Sequence, residues 1–203
     1  MANDLASYIV SLDLTLATAI DAATWPDALL TDALRQAVHA YSRNIVYETS
    51  FTTIAAGYSH DLSTMTALLD IHALAYPWSD GVNFEQYTIH WRYYDHQKVR
   101  IEPHYAAIGE IIRVRHTKIH YLKDLDAAAA TTVPAIHAHI VNLAAAAWAC
   151  LLRQRQITEN PGLPREALPG LGSLYTTYLD QFFQALRAVR PSHNPAWSTY
   201  GLD

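Results

Sequence analysis

The chain has few of the residues from which reactive sites are built. Cys150 is its one cysteine, so no intramolecular disulfide forms. It lies in an apolar stretch, where a small core residue is expected rather than a thiolate. A reducing compartment, or indifference to redox state, follows. Glycines number seven, and none builds a phosphate-cradling loop between a strand and a helix. Gly170-Leu-Gly172 is only a fragment of such a loop, in a proline-rich segment, and no Gly-x-Ser-x-Gly elbow is present. Basic residues are outnumbered, 14 Lys and Arg against 19 Asp and Glu for a net charge of −5. That argues against a strongly basic nucleic-acid module, which needs a cationic surplus to neutralise phosphates. No Lys or Arg precedes Arg35, so the positive n-region of a secretory signal is absent. The longest apolar run, Leu143 to Leu152, is about half of the ~20 residues a membrane span needs. A soluble protein, intracellular at synthesis and without a membrane partner, is expected.

The apolar residues needed for a core are there: 51% of the chain is hydrophobic and only 16% charged, which excludes disorder. The length suits one domain, 1–203, with an elaborated insertion. Residues 1–43 read as helices. Leu30, Leu34, Ala37, Val38 and Tyr41 follow the 3.6-residue period while Asp32, Arg35, Gln36 and His39 take other faces. Pro26 and Asp27 suit the first turn of that helix. Leu5, Tyr8, Ile9 and Leu12 indicate a shorter helix upstream, with its end open because Leu12, Leu14 and Leu16 also alternate as in a strand.

The period changes over residues 44–122. Tyr87, Ile89, Trp91 and Tyr93 alternate with Thr88, His90, Arg92 and Tyr94, and Asp95-His96-Gln97 is placed to turn the chain into Val99 and Ile101. Further strands are expected over Ile45–Ile54, Ile71–Tyr76 and Glu110–Tyr121, with Pro77 and Pro103 at run ends. Residues 131–190 return to helix. Thr131-Thr132-Val133-Pro134 opens a helix with a stripe of Ile136, Ile140, Leu143, Ala147 and Cys150. Pro161, Gly162, Pro164, Pro169, Gly170 and Gly172 read as a long loop. A last helix then carries Leu174, Tyr178, Phe182, Ala185 and Val189 on one side and stops at Pro191. Residues 191–203 form an extended tail holding Trp197 and Tyr200. The expected fold class is α+β: mainly a helical bundle, with an antiparallel strand-rich region of bent hairpins inserted between its N-terminal and C-terminal helices.

Eleven histidines raise the question of a metal, and their spacing answers against it. His137 and His139 are two apart on a helix and point to roughly opposite sides. His116 and His120 share a strand face but stand about 13 Å apart at ~3.3 Å per residue. His90, His96 and His104 flank the hairpin without a convergent pattern, so surface or interface histidines are the preferred reading and no metal or cofactor is assigned. Asp124 and Asp126 read as a solvated turn rather than an acid and base pair. Arg92, Lys98, Arg100, Arg113, Arg115 and Lys118 form a modest basic strip. Its functional reading is contact with an acidic partner or nucleic acid, and its bland reading is charge that guards a sheet edge. Tyr87, Trp91 and Tyr93 fit core or subunit packing better than base stacking.

The order of signals carries one further reading. Leu34-Arg35-Gln36-Ala37-Val38-His39-Ala40-Tyr41-Ser42-Arg43 opens into an extended segment with Asp61-Leu62 and a strand ending Tyr76-Pro77. Ile111-Ile-Arg-Val-Arg-His116 leads to Thr131-Thr-Val-Pro134, then to His137, the Ala144–Ala147 helix and a final amphipathic helix. Over residues 26–190 this pattern resembles the head–tail adaptor, or connector, proteins of tailed bacteriophages. The resemblance implies a helical bundle with a strand-containing insertion and a structural, non-enzymatic role in the virion neck. It also implies a dodecameric homo-oligomeric ring beneath the portal protein, a channel through which DNA passes without sequence-specific binding, and a platform for the next adaptor, tail terminator or tail protein. It transfers no catalytic or binding residue. Two departures, the long strand-rich middle and Asn44-Ile45 where a proline is expected, leave open another neck role such as a tail terminator. A metal- or small-ligand-binding enzyme using the His- and Tyr-rich sheet is the competing expectation. Aromatic residues dominate interface energies, so Trp91, Trp197 and Tyr200 are the expected anchors of subunit or partner contacts, with Tyr93, Arg113 and Arg115 beside them.

Overall fold

Tyr8, Leu12 and Leu16 recur every fourth residue and are all buried, which settles the open end of the first helix. Leucines that could alternate in a strand instead line one side of α1, Leu5–Ala17, while Leu14 faces solvent. Asp4 caps the helix, its carboxylate accepting from the Ser7 backbone N–H at 2.9 Å and from the Ser7 hydroxyl at 2.5 Å. A side-chain oxygen here satisfies donors that the first turn leaves unpaired. In this computed structural model the described residues are 4–17, 25–45, 47–54, 59–62, 68–76, 78, 88–89, 91–95, 98–101, 111–160, 162–163 and 165–189.

The described elements form an α+β, mainly helical fold, as expected. The chain divides into two compact units, Met1–Ile45 with His120–Asp203, and Val46–Ile119. The sequence suggests one domain with an insertion over 44–122. The inserted block is instead a compact unit in its own right.

Among the described residues, the first unit holds four α-helices. α2, Asp27–Ser42, buries Leu29, Leu30, Ala33, Leu34, Ala37, Val38 and Tyr41, the i, i+3, i+4 stripe of an amphipathic helix. Pro26 stands just before it, and its carbonyl accepts from the N–H groups of Leu29 and Leu30. At the other end Asn44 Nδ2 donates to the Ala40 carbonyl at 2.8 Å, filling an acceptor that the last turn leaves open. α3, Ala138–Glu159, packs against α1, α2 and α4. Its alanines Ala144 to Ala147 are all buried, because only small side chains let helices approach from several sides.

Two expectations about the helix boundaries fail in this unit. Ile136 is not part of the α3 stripe: it sits in a 3₁₀ turn, Ala135–His137, and is 77% exposed. The supposed Pro/Gly loop also ends early. α4 spans Leu168–Val189 and takes in Pro169, Gly170 and Gly172, after a 3₁₀ turn at Arg165–Ala167. Proline is tolerated there because first-turn N–H groups have no helical acceptor to lose. Leu171, Phe182 and Leu186 are the buried residues of α4. Residues 135–159 are long and apolar enough to cross a membrane by length and composition alone, which the shorter run counted from the sequence did not show. Here that helix is the central element of the unit, packed against the other three.

The second unit is strand-rich. β1 (Tyr47–Ile54), β7 (Ile111–Lys118), β3 (Leu68–Ala75) and β4 (Thr88–Ile89) form a four-stranded antiparallel sheet in the order β1-β7-β3-β4. β2 (Ser59–Asp61), β6 (Lys98–Ile101) and β5 (Trp91–Asp95) form a second, three-stranded sheet, ordered β2-β6-β5. The alternating run from Tyr87 to Tyr94 is therefore divided, with β4 in one sheet and β5 in the other. Trp91 pairs with Ile101 and Tyr93 with Val99, the hairpin expected from alternation. Leu62, Ile71, Leu74, Tyr76, Ile112 and Val114 make the core of this unit. The turn at His96 and Gln97, Pro77, Pro103 and the tail from 191 onward lie outside the described residues.

Candidate functional site

β7 shows how a polar face is built on this sheet. Ile112, Val114 and His116 are buried and point one way, while Arg113 and Arg115 point the other and are half-buried. A strand's period of two produces this division directly. Arg113 stands opposite Thr52 of β1 and Ala75 of β3, and Arg115 opposite Ser50 and Ala73. The short side chains of β3 leave room for the guanidinium groups, and Trp78 fills part of it. The Trp78 backbone N–H donates to the Ile111 carbonyl at 2.8 Å, and the Arg113 guanidinium lies 4.5 Å from the centre of the indole ring. Such a contact is worth about 0.5–1 kcal/mol at an accessible position. It holds the arginine over the ring, with Ala75 clustered with Trp78 and Ala73 packed against that cluster.

Edge protection does not explain these arginines. β7 lies between β1 and β3, so its backbone groups are paired on both sides. Arg113 and Arg115 thus lie on one face of the sheet, half-buried, with the buried Trp78 beside Arg113. Trp78 was not singled out from the sequence. Its signal was its place directly after Pro77, at the end of a strand.

The other expected interface residues are distributed differently. Trp91 is half-buried and packs against the core of the strand-rich unit. Tyr93 is placed by register alone, opposite Val99. Trp197 and Tyr200 lie outside the described residues, as do His90, His96 and His104.

In the helical unit, three rings meet where the chain leaves α2 and where it returns. Tyr41 closes the buried stripe of α2 and is fully buried. Its hydroxyl is 2.5 Å from His137 Nδ1, so with the imidazole proton on Nε2 the phenol donates and the ring nitrogen accepts. The His120 ring meets Tyr41 edge-on with centroids 5.0 Å apart, and His137 does the same at 5.9 Å. Tyr8 of α1 is also buried, close enough to Tyr41 to feel its charge. Burial pushes both phenols up to about 12, with the neighbouring Tyr41 adding to the effect on Tyr8. His120 is held below its ordinary value chiefly by burial, with the nearby His137 acting in the same direction. Hydrogen bonds to the backbone at Thr132 and Ile45 oppose that shift.

Neither histidine is where the sequence reading put it. β7 ends at Lys118, so His120 belongs to the helical unit and not to a strand face shared with His116. His137 precedes α3 in the 3₁₀ turn, and His139 lies in the first turn of the helix. Among the described residues, no three His, Cys, Asp or Glu side chains converge as metal ligands. Asp126, read as part of a solvated turn, receives a two-pronged contact from Arg35, with Nε 2.9 Å from Oδ2 and Nη2 2.6 Å from Oδ1. Arg35 also bonds Asp32. Cys150 is buried in α3, where desolvation pushes its thiol up to about 12 and leaves it a poor nucleophile. No protein-family model matches the chain, and no curated protein matches it in sequence.

Proposed function

We propose that the chain is a structural protein of the virion neck. In this reading it assembles with copies of itself into a dodecameric ring of the head–tail adaptor type. The observation that carries the reading is topological: a compact antiparallel strand unit inserted between the second and third helices of a four-helix unit. This is the arrangement implied by the resemblance noted above. The portal protein is the partner above, and a further adaptor, the tail terminator or a tail protein the partner below. Two surfaces support such contacts. One is the half-buried pair Arg113 and Arg115 on β7, beside the buried Trp78. The other is the outer side of α1, where Val10 and Leu14, one turn apart, are 61% and 65% exposed. Rings are closed by heterologous contacts, in which two different patches meet. A chain of net charge −5 lines a DNA channel without trapping phosphates, since non-specific DNA affinity rests on displacing counterions with Lys and Arg.

Mixed with its cognate portal protein, the full chain is expected to bind at one copy per portal subunit, as read by native mass spectrometry. A chain ending at Pro191, which lacks Trp197 and Tyr200, is expected to fold as before but to assemble at least tenfold more weakly, about the loss of one interface anchor. Equal assembly by the two chains would remove the tail from the interface. Portal rings that leave the full chain unbound would count against the adaptor reading itself.

A further inference from the structure

The outer strands of the two sheets differ in how they end the ladder. β4, at one side of the four-stranded sheet, pairs with β3 only through Leu74–Ile89 and Ala75–Thr88. In the other sheet β2 is three residues long, and β5 carries Arg92 and Asp95 and shifts register against β6 between Tyr93 and Asp95. Short strands, charges and bulges are the devices by which natural sheets keep an edge from pairing with another chain. β1 is built otherwise. It runs for eight residues, Tyr47–Ile54, in unshifted antiparallel register with β7. It has no proline, lysine or arginine, and Glu48 is its one charged residue. Thr49, Phe51, Thr52, Thr53 and Ile54 are residue types that favour an extended backbone. Every second residue of an edge strand turns its N–H and C=O away from its partner. Among the described residues, no strand takes up that side of β1.

We propose that the outer edge of β1, over residues 48–54, is a strand-pairing surface that takes the same edge of a second copy of this chain. The strand's own sequence selects that occupant. A two-fold axis normal to the sheet sets two β1 edges antiparallel and leaves each face on its own side, so residues pair with residues of the same face. Centred on Phe51, the register places Phe51 opposite its counterpart, Thr49 opposite Thr53, Ser50 opposite Thr52 and Glu48 opposite Ile54. Aromatic and threonine pairs are favourable in such a ladder, and no two like charges stand opposite one another. The two four-stranded sheets become one, with β1 interior in both copies. Such a contact is isologous and stops at two copies. It does not rest on the ring proposed above, whose contacts join different patches, and it concerns the chain by itself.

Sedimentation equilibrium of the full chain, without portal protein, tests the pairing. The chain is expected to pass from monomer to dimer as its concentration rises to about 100 μM, the weak range of a small interface. Ser50→Glu combined with Thr52→Glu is the discriminating variant. Within the chain's own sheet the new carboxylates stand opposite Arg115 and Arg113, a pairing of opposite charges. Across the two-fold contact they stand opposite each other, so dimerisation is expected to weaken about tenfold or more. Far-ultraviolet circular dichroism checks that the variant is folded. If it is not, amide hydrogen exchange of the unaltered chain carries the test. The amides of residues 48–54 that point away from β7 are then expected to gain protection between about 1 μM and about 100 μM, while those bonded to β7 do not change. A chain that stays monomeric overturns the proposal, as does exchange at β1 that is independent of concentration. An association of whatever size that the folded double variant retains undiminished also overturns it, because the contact would then lie elsewhere.

Discussion

Replacing Phe182 with alanine is expected to lower the stability of the protein by about 3–5 kcal/mol, while replacing its neighbour Phe183 costs less than about 1 kcal/mol. The two rings touch, with centroids 5.2 Å apart, and they have the same chemistry and the same helical propensity. What differs is the side of α4 on which each lies. Phe182 is 1% exposed, with Leu171 and Leu186 the other buried residues of the helix, whereas Phe183 is 42% exposed. Truncating Phe182 removes apolar surface from the core and leaves a cavity between helices that are already packed. Against a total stability of about 5–15 kcal/mol for a domain, the loss is large. Urea denaturation followed by far-ultraviolet circular dichroism measures both variants. Equal effects would mean that α4 is not seated on α3 by this face.

Acid is expected to destabilise both units through one buried histidine in each. His116 is buried in β7 and held below its ordinary value chiefly by desolvation. The positive charge of Lys118 and the nearby His72 act the same way, and a hydrogen bond to the Val114 backbone opposes them. His120 is lowered for the same leading reason. A histidine whose folded pKa lies below its unfolded value binds protons more readily when unfolded. Its contribution is therefore complete above the unfolded value of about 6.5 and is lost as the pH falls below it. Each such site removes up to about 1.4 kcal/mol per pH unit until the folded form also titrates. Asp4 and Asp126, both lowered by hydrogen bonds, act in a separate window, with their contribution lost only as the pH falls below about 4. Denaturation midpoints at pH 7.5 and pH 5 check this expectation, and His116→Gln is expected to flatten part of the difference. Midpoints that do not move between these values would contradict it.

The helices were legible where one face alone is apolar. α2 displays its buried side in residues 29 to 41, and its length and first turn follow from Pro26 and Asp27. α3 was legible as a helix but not as a central one, since a single stripe does not describe Ala144 to Ala147, all buried among three neighbours. Pro169 and Gly170 read as loop because those residues usually end helices, yet a first turn tolerates both. In the strand-rich unit, the sequence pattern located β1, β3, β5, β6 and β7 and the β5–β6 hairpin, but not the pairing of β7 with β1 and β3. Whether β7 is an edge or an interior strand depends on partners more than thirty residues away in β1 and β3, so alternation put Arg113 and Arg115 on one face but could not show that they stand on an interior strand. The Tyr41, His120 and His137 cluster was hidden for the same reason, as its members come from segments far apart in the chain. A tyrosine on the buried stripe of α2 was the one local hint that a polar partner had to be nearby.

The central claim is that the chain belongs to the neck of a tailed particle, and quantitative mass spectrometry of purified particles tests it most directly. The account predicts recovery of the chain at a fixed copy number equal to that of the portal protein. Its absence from intact particles that do contain portal and tail proteins would contradict the account.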